Sequence, residues 1–418
     1  MRSTIVVALA LFAAAPAVFA VSAQPAFTPS DAERRVHEGL IVLDTHFDTP
    51  ANLGRPGWSI LDRHDTATDG DQVDLPRMVE GGVDGGFFAI FIGQGPRTLG
   101  GYQAARDAAL VRAVQIREMV AAHRDRFALA LTADDARQAV QDGKRFVFVS
   151  MENGAPVAGD LTLLRTFRAL GVTTMSPVHT RNNDLADSAT DTPEWQGLSP
   201  EGRRYVAEAN RLGILLDGSH ASDDAIRQMV ELSRAPIILT HSGMRAVYDH
   251  PRNAPDDVAK AVAAKGGVIQ INAFSGYMID QPRIPERSAA LAELSRKYRR
   301  AGGLSVEERR AMLAERRAID ARWPVPRATI DDFLQHLRHA IELVGIDHVG
   351  LSGDFDGGGG LDGLNDVTDF PSVTAALLRA GYSADDIGKF WGGNALRVLA
   401  AAQAAAEPGA VPVVPVTR

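Results

Sequence analysis

Eight short apolar runs, separated by amphipathic stretches, constrain this chain more than any other feature of its sequence. They are GLIVLDTH (39–46), GGVDGGFFAIFIG (81–93), RFVFVSMEN (145–153) and VTTMSPVHT (172–180), then GILLDGSH (213–220), APIILTHS (235–242), GGVIQINAF (266–274) and HVGLSGDFD (348–356). Near-continuous apolar runs of this length fit strands buried on both faces of a parallel sheet. Helical patterns lie between them, such as YQAARDAALVRAVQIREMVAAH (102–123), DLTLLRTFRAL (160–170), SDDAIRQMVELS (222–233) and TIDDFLQHLRHAIELVG (329–345). Ser222 before Asp223 and Asp224, and Thr329 before Asp331 and Asp332, read as helix N-caps followed by acidic first turns. Strand–helix alternation repeated about eight times predicts an α/β fold of the (β/α)8 TIM-barrel type. The competing architecture is an open doubly wound sheet. No GxGxxG follows the first strand and no Walker motif occurs, which removes the usual reasons to prefer it.

Residues 277–327 interrupt the rhythm. They are polar, Arg-rich and helical in pattern, and read as a helical insertion between strands 7 and 8 of the barrel. Such an insertion serves either as a lid beside the site or as a solvated helical hairpin with no role.

The chain has 418 residues, 45% hydrophobic and 23% charged, which is ample for a large core. Its opening, MRSTIVVALALFAAAPAVFAVSAQPAF, has one early Arg, an apolar stretch, and small-residue patterns closing at Ala20 and Ala23. That is the pattern of a secretory signal peptide over residues 1–23, and it predicts an exported protein, periplasmic or secreted. The run is short for a membrane span. A single domain is expected over 24–405, with a Pro/Val-rich tail at 406–418. The formal net charge of −8 becomes −9 once Arg2 leaves with the leader, and an acidic surface argues against nucleic acid as a partner. There are no cysteines. This excludes disulfides, a lipid-modified Cys, zinc–thiolate sites and a Cys nucleophile, so any metal must be held by His and carboxylates.

The polar residues gather at the C-terminal ends of the apolar runs, where a (β/α)8 barrel carries its active site. The first run ends in His46 and Asp48, the third in Glu152, the fourth in His179, the fifth in His220, the sixth in His241, and the last in Asp354 and Asp356. In extended structure His46 and Asp48 point to one face and can meet one cation. The other histidines read as bland. His336 and His339 are expected on a surface face of a helix, His348 starts the last run, and His37, His64, His123 and His250 lie in polar stretches. That many titratable groups converging on one mouth need water or metal. Imidazole and carboxylate suit zinc, with manganese or another divalent ion as an alternative. There are more ligands than one open tetrahedral site takes. Two metals bridged by a carboxylate, sharing a hydroxide and polarising a substrate carbonyl, are more economical. Other chemistries fit less well. Gly350-Leu351-Ser352-Gly353-Asp354 lacks the final Gly of a nucleophile elbow, and DFDGGGGLDG lacks a calcium loop's third ligand and terminal Glu.

The motifs DTHFDTP, SMENG, MSPVHTRNND, LLDGSHAS, LTHSGMRAVYDHPRN, HVGLSGDFDG and GGNALRVL occur in this order. Together they make the chain resemble the membrane dipeptidase (renal dipeptidase) family of zinc peptidases, among the amidohydrolase-like metal-dependent barrels, from about Asp31 to Ala400. The resemblance implies a zinc-dependent dipeptidase with two Zn2+ per chain. His46 and Asp48 match ligands of the first zinc, Glu152 the carboxylate bridging both, and His220 and His241 ligands of the second. His179 matches a histidine that contacts substrate and polarises the scissile carbonyl. Arg252 matches an arginine holding the substrate carboxylate, and Asp354 the acid that shuttles protons, with Asp356 as the fallback. Phe274 stands where animal members carry a tyrosine near the substrate, which leaves side-chain preference open. Asp44 is assigned no metal and is expected to support the site from behind.

The partner implied is a small dipeptide, with acceptance of a C-terminal D-residue open. No hydrophobic C-terminal tail exists for a lipid anchor, and a homodimer is compatible with the resemblance. Two alternatives stand beside it. One is a two-metal barrel hydrolase acting on another amide or ester (an N-acyl amino acid, a β-lactam or a lactone). The other is a catalytically dead binding protein, disfavoured because every ligand position is filled.

Overall fold

The computed structural model describes residues 27–299 and 304–409. The predicted 1–23 leader and the tail beyond residue 409 lie outside the described residues. Each of the eight predicted runs contains a strand. These are β1 (Leu43–Phe47), β2 (Gly85–Phe91), β4 (Arg145–Glu152), β5 (Val172–Met175), β6 (Leu215–Leu216), β7 (Ile238–Met244), β9 (Val268–Asn272) and β10 (Val349–Ser352). Two short strands, β3 (Phe127–Leu129) and β8 (Asn253–Ala254), pair with β4 and β7.

The strands run β1-β2-β4-β5-β6 in one sheet, with β3 on β4, and β10-β9-β7-β8 in the other. Every pairing is parallel. Single bridges join the sheets at both seams, Asp217 to Ile238 between β6 and β7, and Phe47 to Phe355 between β1 and the turn after β10. The result is a curled parallel sheet, consistent with the expected barrel. β1, β5, β7, β9 and β10 are buried at every position, which explains why their sequences read as unbroken apolar runs.

One apolar cluster draws Leu43, Phe87, Phe146, Phe148, Leu215, Ile238 and Val268 from successive strands and closes on Leu396 and Leu399 of the last helix. Alternate neighbours such as Phe88, Val147 and Ile269 join the larger cluster that also takes in the helices. This is the period-two division of a strand buried on both faces. Gly86 in β2 makes the close approach of β1 possible, because a Cβ there would stand 2.6 Å from the Phe47 ring and 2.5 Å from the Asp44 carbonyl oxygen.

The predicted caps hold. Ser222 accepts from the Ala225 N–H, and Thr329 forms a capping box with Asp332. Between β9 and β10 stand the helices Pro285–Lys297 and Val306–Arg322, ahead of the helix Ile330–Val344.

Two histidines expected in polar surroundings are buried instead. His336 lies inside the 330–344 helix face, where its Nδ1 accepts the Met244 N–H at 3.0 Å. His37 is buried between Thr374 Oγ1 (2.7 Å) and the Gly81 carbonyl (2.9 Å). Both rings satisfy backbone groups that would otherwise be stranded, which makes burying a polar ring tolerable. His339 is half-buried and meets Asp256 at 2.8 Å, so it belongs to a helix–helix contact and not to an open surface face.

Candidate active site

Six strands and the turns that follow them bring imidazoles and carboxylates to one point. His46 is the penultimate residue of β1, and Glu152 is the last of β4. His241 lies within β7, while His179 and His220 follow β5 and β6. Asp48 reaches the same point by a turn. It precedes a 3-10 helix with φ −84° and ψ 5°, so the His46–Asp48 pair forms where the strand bends and not by strand parity. Non-glycine residues with positive φ cluster here. Asn153 (74°), His220 (68°), Asp354 (50°) and Asp356 (66°) all follow strand ends. Such backbone is costly, and concentrations of it mark functional sites.

Glu152 is the hub. Its Oε2 lies 3.5 Å from His46 Nε2. Its Oε1 lies 3.0 Å from His220, 3.4 Å from His241 and 3.7 Å from His179, each at Nε2. His46 Nε2 is also 3.3 Å from Asp48 Oδ2. Ligand atoms gather in three overlapping groups: His46, Glu152 and His241; Glu152, His179 and His220; and His46, Asp48 and Asp354. Six of the seven residues are buried, with His179 partly exposed.

Burial opposes charge on Glu152, yet His46 and the contacts from His220 and His241 hold its carboxyl well below the usual range. Burial likewise opposes the His46 cation, but Glu152 and Asp48 push its pKa well up. His220 and His241 are driven well down, by burial and by the positive charge of Arg252 and His46. Burial, with the repulsion of Asp48 and Glu152, pushes Asp354 up to about 7.

These residues fit a divalent metal. The donors are all nitrogen and oxygen, and His46 Nε2 and Asp48 Oδ1 are buried without a hydrogen-bond partner. A cation in their midst would satisfy atoms that otherwise cost several kcal/mol of stability.

A supporting layer fixes the donors. Asp44 accepts the His46 N–H (2.9 Å) and the Gly353 N–H (2.7 Å), tying β1 to the turn after β10, and burial raises it to about 7. Its carboxylate is therefore engaged by two backbone N–H groups. His241 Nδ1 meets Thr240 Oγ1 at 2.9 Å, and that hydroxyl donates to Asp217 at 2.6 Å. Asn272 donates to Asp354 Oδ2 at 3.1 Å. The carboxylate of Asp356 is engaged by Thr49 Oγ1 (2.6 Å) and the Gln72 N–H (2.8 Å), which turns it toward the 49–72 loop.

The site opens into a cavity of ≈ 310 Å³ whose walls include Asp48, Glu152, His179, Phe274, Tyr277 and Asp354. The Phe91 ring meets the His179 ring edge-on, centroids 4.9 Å apart. Arg252 is not among the cavity-lining residues. It is buried, donates from Nη2 to the His241 carbonyl (2.9 Å), has an unpartnered Nε, and lies 5.3 Å from the centre of the Tyr277 ring. Tyr277, which stacks on Phe274 at 4.4 Å, was not singled out by sequence reasoning. Its only signal was a second aromatic three residues past Phe274 in the same motif. Asn272 and the Asp217–Thr240 pair were likewise missed, because polar residues inside apolar runs carry no positional mark.

Known proteins resemble this chain along most of its length. Dipeptidase tcpJ of Claviceps purpurea (strain 20.1) is 30% identical over 350 residues, covering 82% of this chain and 72% of that one. The crystal structure of the probable dipeptidase PvdM from Pseudomonas aeruginosa superposes with a TM-score of 0.76 at 31% identity, over 90% of this chain and 98% of that one. A metallo peptidase from Rhodobacter sphaeroides, liganded with a phosphinate mimic of the dipeptide L-Ala-D-Ala, gives 0.69 at 27% identity, over 87% and 99%. The model of the membrane dipeptidase family (peptidase family M19) matches residues 30–411, and the chain belongs to that family of metallo-dipeptidases, hydrolases acting on peptide bonds.

Proposed function

We propose that this protein is a zinc-dependent dipeptidase that hydrolyses L,L-dipeptides and dipeptides ending in a D-residue, on a (β/α)8 barrel with a helical insertion after β9. The observation that carries this reading is Glu152, whose two oxygens face separate sets of imidazoles. That placement suits a carboxylate between two ions, with His46 and Asp48 on one side and His220 and His241 on the other. The D-residue is supported by the L-Ala-D-Ala mimic bound to the Rhodobacter sphaeroides relative.

Bound zinc would supply Lewis acidity, lowering the pKa of a water and polarising the peptide carbonyl. The protein does the rest. His179, steadied against Phe91, orients the scissile carbonyl and donates to its oxygen. Asp354, on the cavity wall and held by Asn272, takes a proton and returns it to the leaving amine. Phe274 and Tyr277 form the aromatic wall, and Arg252, assigned to the free carboxylate of a short substrate by the family resemblance, is buried against Tyr277 with an unpartnered Nε. The reading includes export through the 1–23 leader, supported by the sequence pattern, and one domain over 24–405. Among the described residues no helix is long and apolar enough to cross a membrane.

The purified protein should carry two zinc ions per chain and cleave L,L- and L,D-dipeptides, with activity lost to a chelator and restored by zinc. One ion or none by metal analysis, together with no turnover of any dipeptide after zinc addition, would sink the reading.

A further inference from the structure

Phe274 lines the catalytic cavity and also a second cavity of ≈ 460 Å³. A Cβ at Gly276 would stand 2.9 Å from Phe274 Cε1, and one at Gly358 would stand 2.7 Å from Cε2, so the ring sits in a slot that only glycines leave open. Glycines also form the floor shared by the two spaces, Gly357 lining the first and Gly358, Gly359 and Gly360 the second.

The second cavity has a different chemistry. Arg287, Arg316 and Arg327 line it, with Asp320 and Gln281. Asp320 is shared by two of the arginines, 2.8 Å from Arg287 Nη2 and 3.3 Å from Arg316 Nε. Among the described residues, Arg327 has an ion-pair contact only with half-exposed Asp362, at 3.5 Å. Arg287 Nε is buried without a partner. One carboxylate among three guanidinium groups leaves the cavity positive, in a chain whose formal net charge is −8.

The wall that carries Arg316 and Asp320 is fixed in place. On the same helix, Arg309 Nε donates to the Asp69 carbonyl at 2.8 Å and Arg310 Nε to Asp69 Oδ1 at 2.6 Å. Leu313 packs on Gly70, where φ is +71° and a Cβ would lie 2.9 Å from Leu313 Cδ1. The helices between β9 and β10 thus build one side of this cavity.

We propose that this arginine-walled cavity is a substrate subsite that takes an acidic side chain, reached past Phe274 from the residue held at the catalytic centre. Guanidinium forks with spare N–H donors match a carboxylate in geometry as well as charge. The assignment rests on the dipeptidase reading and adds to it a preference for dipeptides containing Glu or Asp.

Glutamine is the uncharged isostere of glutamate, so paired substrates isolate the charge. The zinc-loaded enzyme is assayed on Ala-Glu against Ala-Gln, and on Glu-Ala against Gln-Ala. In one orientation kcat/KM should favour the Glu substrate by about ten-fold, the scale of one charge-assisted hydrogen bond. Arg316→Gln and Arg327→Gln should each shrink that ratio, mainly through KM. Equal rates on Glu and Gln substrates in both orientations would overturn the subsite, as would a preference that survives both substitutions. Titration calorimetry with glutarate provides a readout free of catalysis. The wild-type protein should bind it, and the two variants should bind it several-fold more weakly; no binding to the wild type overturns the proposal. Should no dipeptide be cleaved, the dipeptidase reading fails and the glutarate measurement still decides the subsite.

Discussion

Glu152 has no neutral way to do what it does. Its carboxylate is buried against four imidazoles, and removing its charge while keeping its shape separates the roles in the proposed site. Glu152→Gln is expected to lose metal along with activity. Asp354→Asn is expected to retain metal and lose rate by about 100-fold or more, the usual scale of general acid–base catalysis. Metal analysis beside steady-state rates distinguishes the two, and a fully active Asp354→Asn enzyme would hand the proton to Asp356. The engagement of Asp356 with Thr49 and Gln72 argues for Asp354.

Residues of this kind were legible in the sequence because a titratable side chain at the end of an apolar run is conspicuous. Arg252 was legible only through the motif around it, since an arginine behind an aromatic ring looks from sequence like any surface cation. Tyr277 and Asn272 were not legible, because their importance comes from what the fold sets opposite them.

At the scale of elements, the first helix (Asp31–Glu38) hangs on a polar relay. Trp391 Nε1 donates to Thr374 Oγ1 at 2.7 Å, that hydroxyl meets His37 Nδ1 at 2.7 Å, and His37 Nε2 meets the Gly81 carbonyl at 2.9 Å. A carbonyl only accepts, so Nε2 carries the proton and Nδ1 accepts from the hydroxyl. Burial lowers the ring's pKa from 6.5 to about 4. Below pH 6.5 the unfolded chain therefore gains a proton that the folded chain refuses until about pH 4, and stability falls across that window. Between pH 7 and pH 5, His37→Gln should lose about 2 kcal/mol less stability than the wild type in urea unfolding. Equal losses would remove His37 from the acid response. Apolar periodicity located the long elements, together with two of their caps. It overlooked β3 and β8, which are three and two residues long and too short to show a period. It also placed His37 and His336 wrongly, because a helix pattern does not reveal which neighbour packs over its polar positions.

The molecule as a whole is a curled sheet whose strands are joined by parallel ladders within two sheets and by single bridges at the two seams between them. Only one bridge joins β6 to β7, and one joins β1 to the turn after β10. His220 follows the first strand of one seam and His241 lies on the second, and both face the same oxygen of Glu152. At the other seam, Asp44 and His46 stand on β1, and Asp354 follows β10. The curled sheet is thus thinnest in backbone hydrogen bonds where it is richest in candidate ligands. Metal in the proposed site would act as a clasp across both gaps, and chemistry and mechanical closure would share one set of side chains. Stripping the metal should then lower the melting temperature by about 5 °C or more and speed amide exchange first at residues 217–220 and 353–356. Exchange that rises evenly over all strands would mean the ions serve the reaction alone. If the clasp holds, a cell that starves this enzyme of metal receives a protein with a loosened rim, exposed to proteases at the two places where its circle is joined.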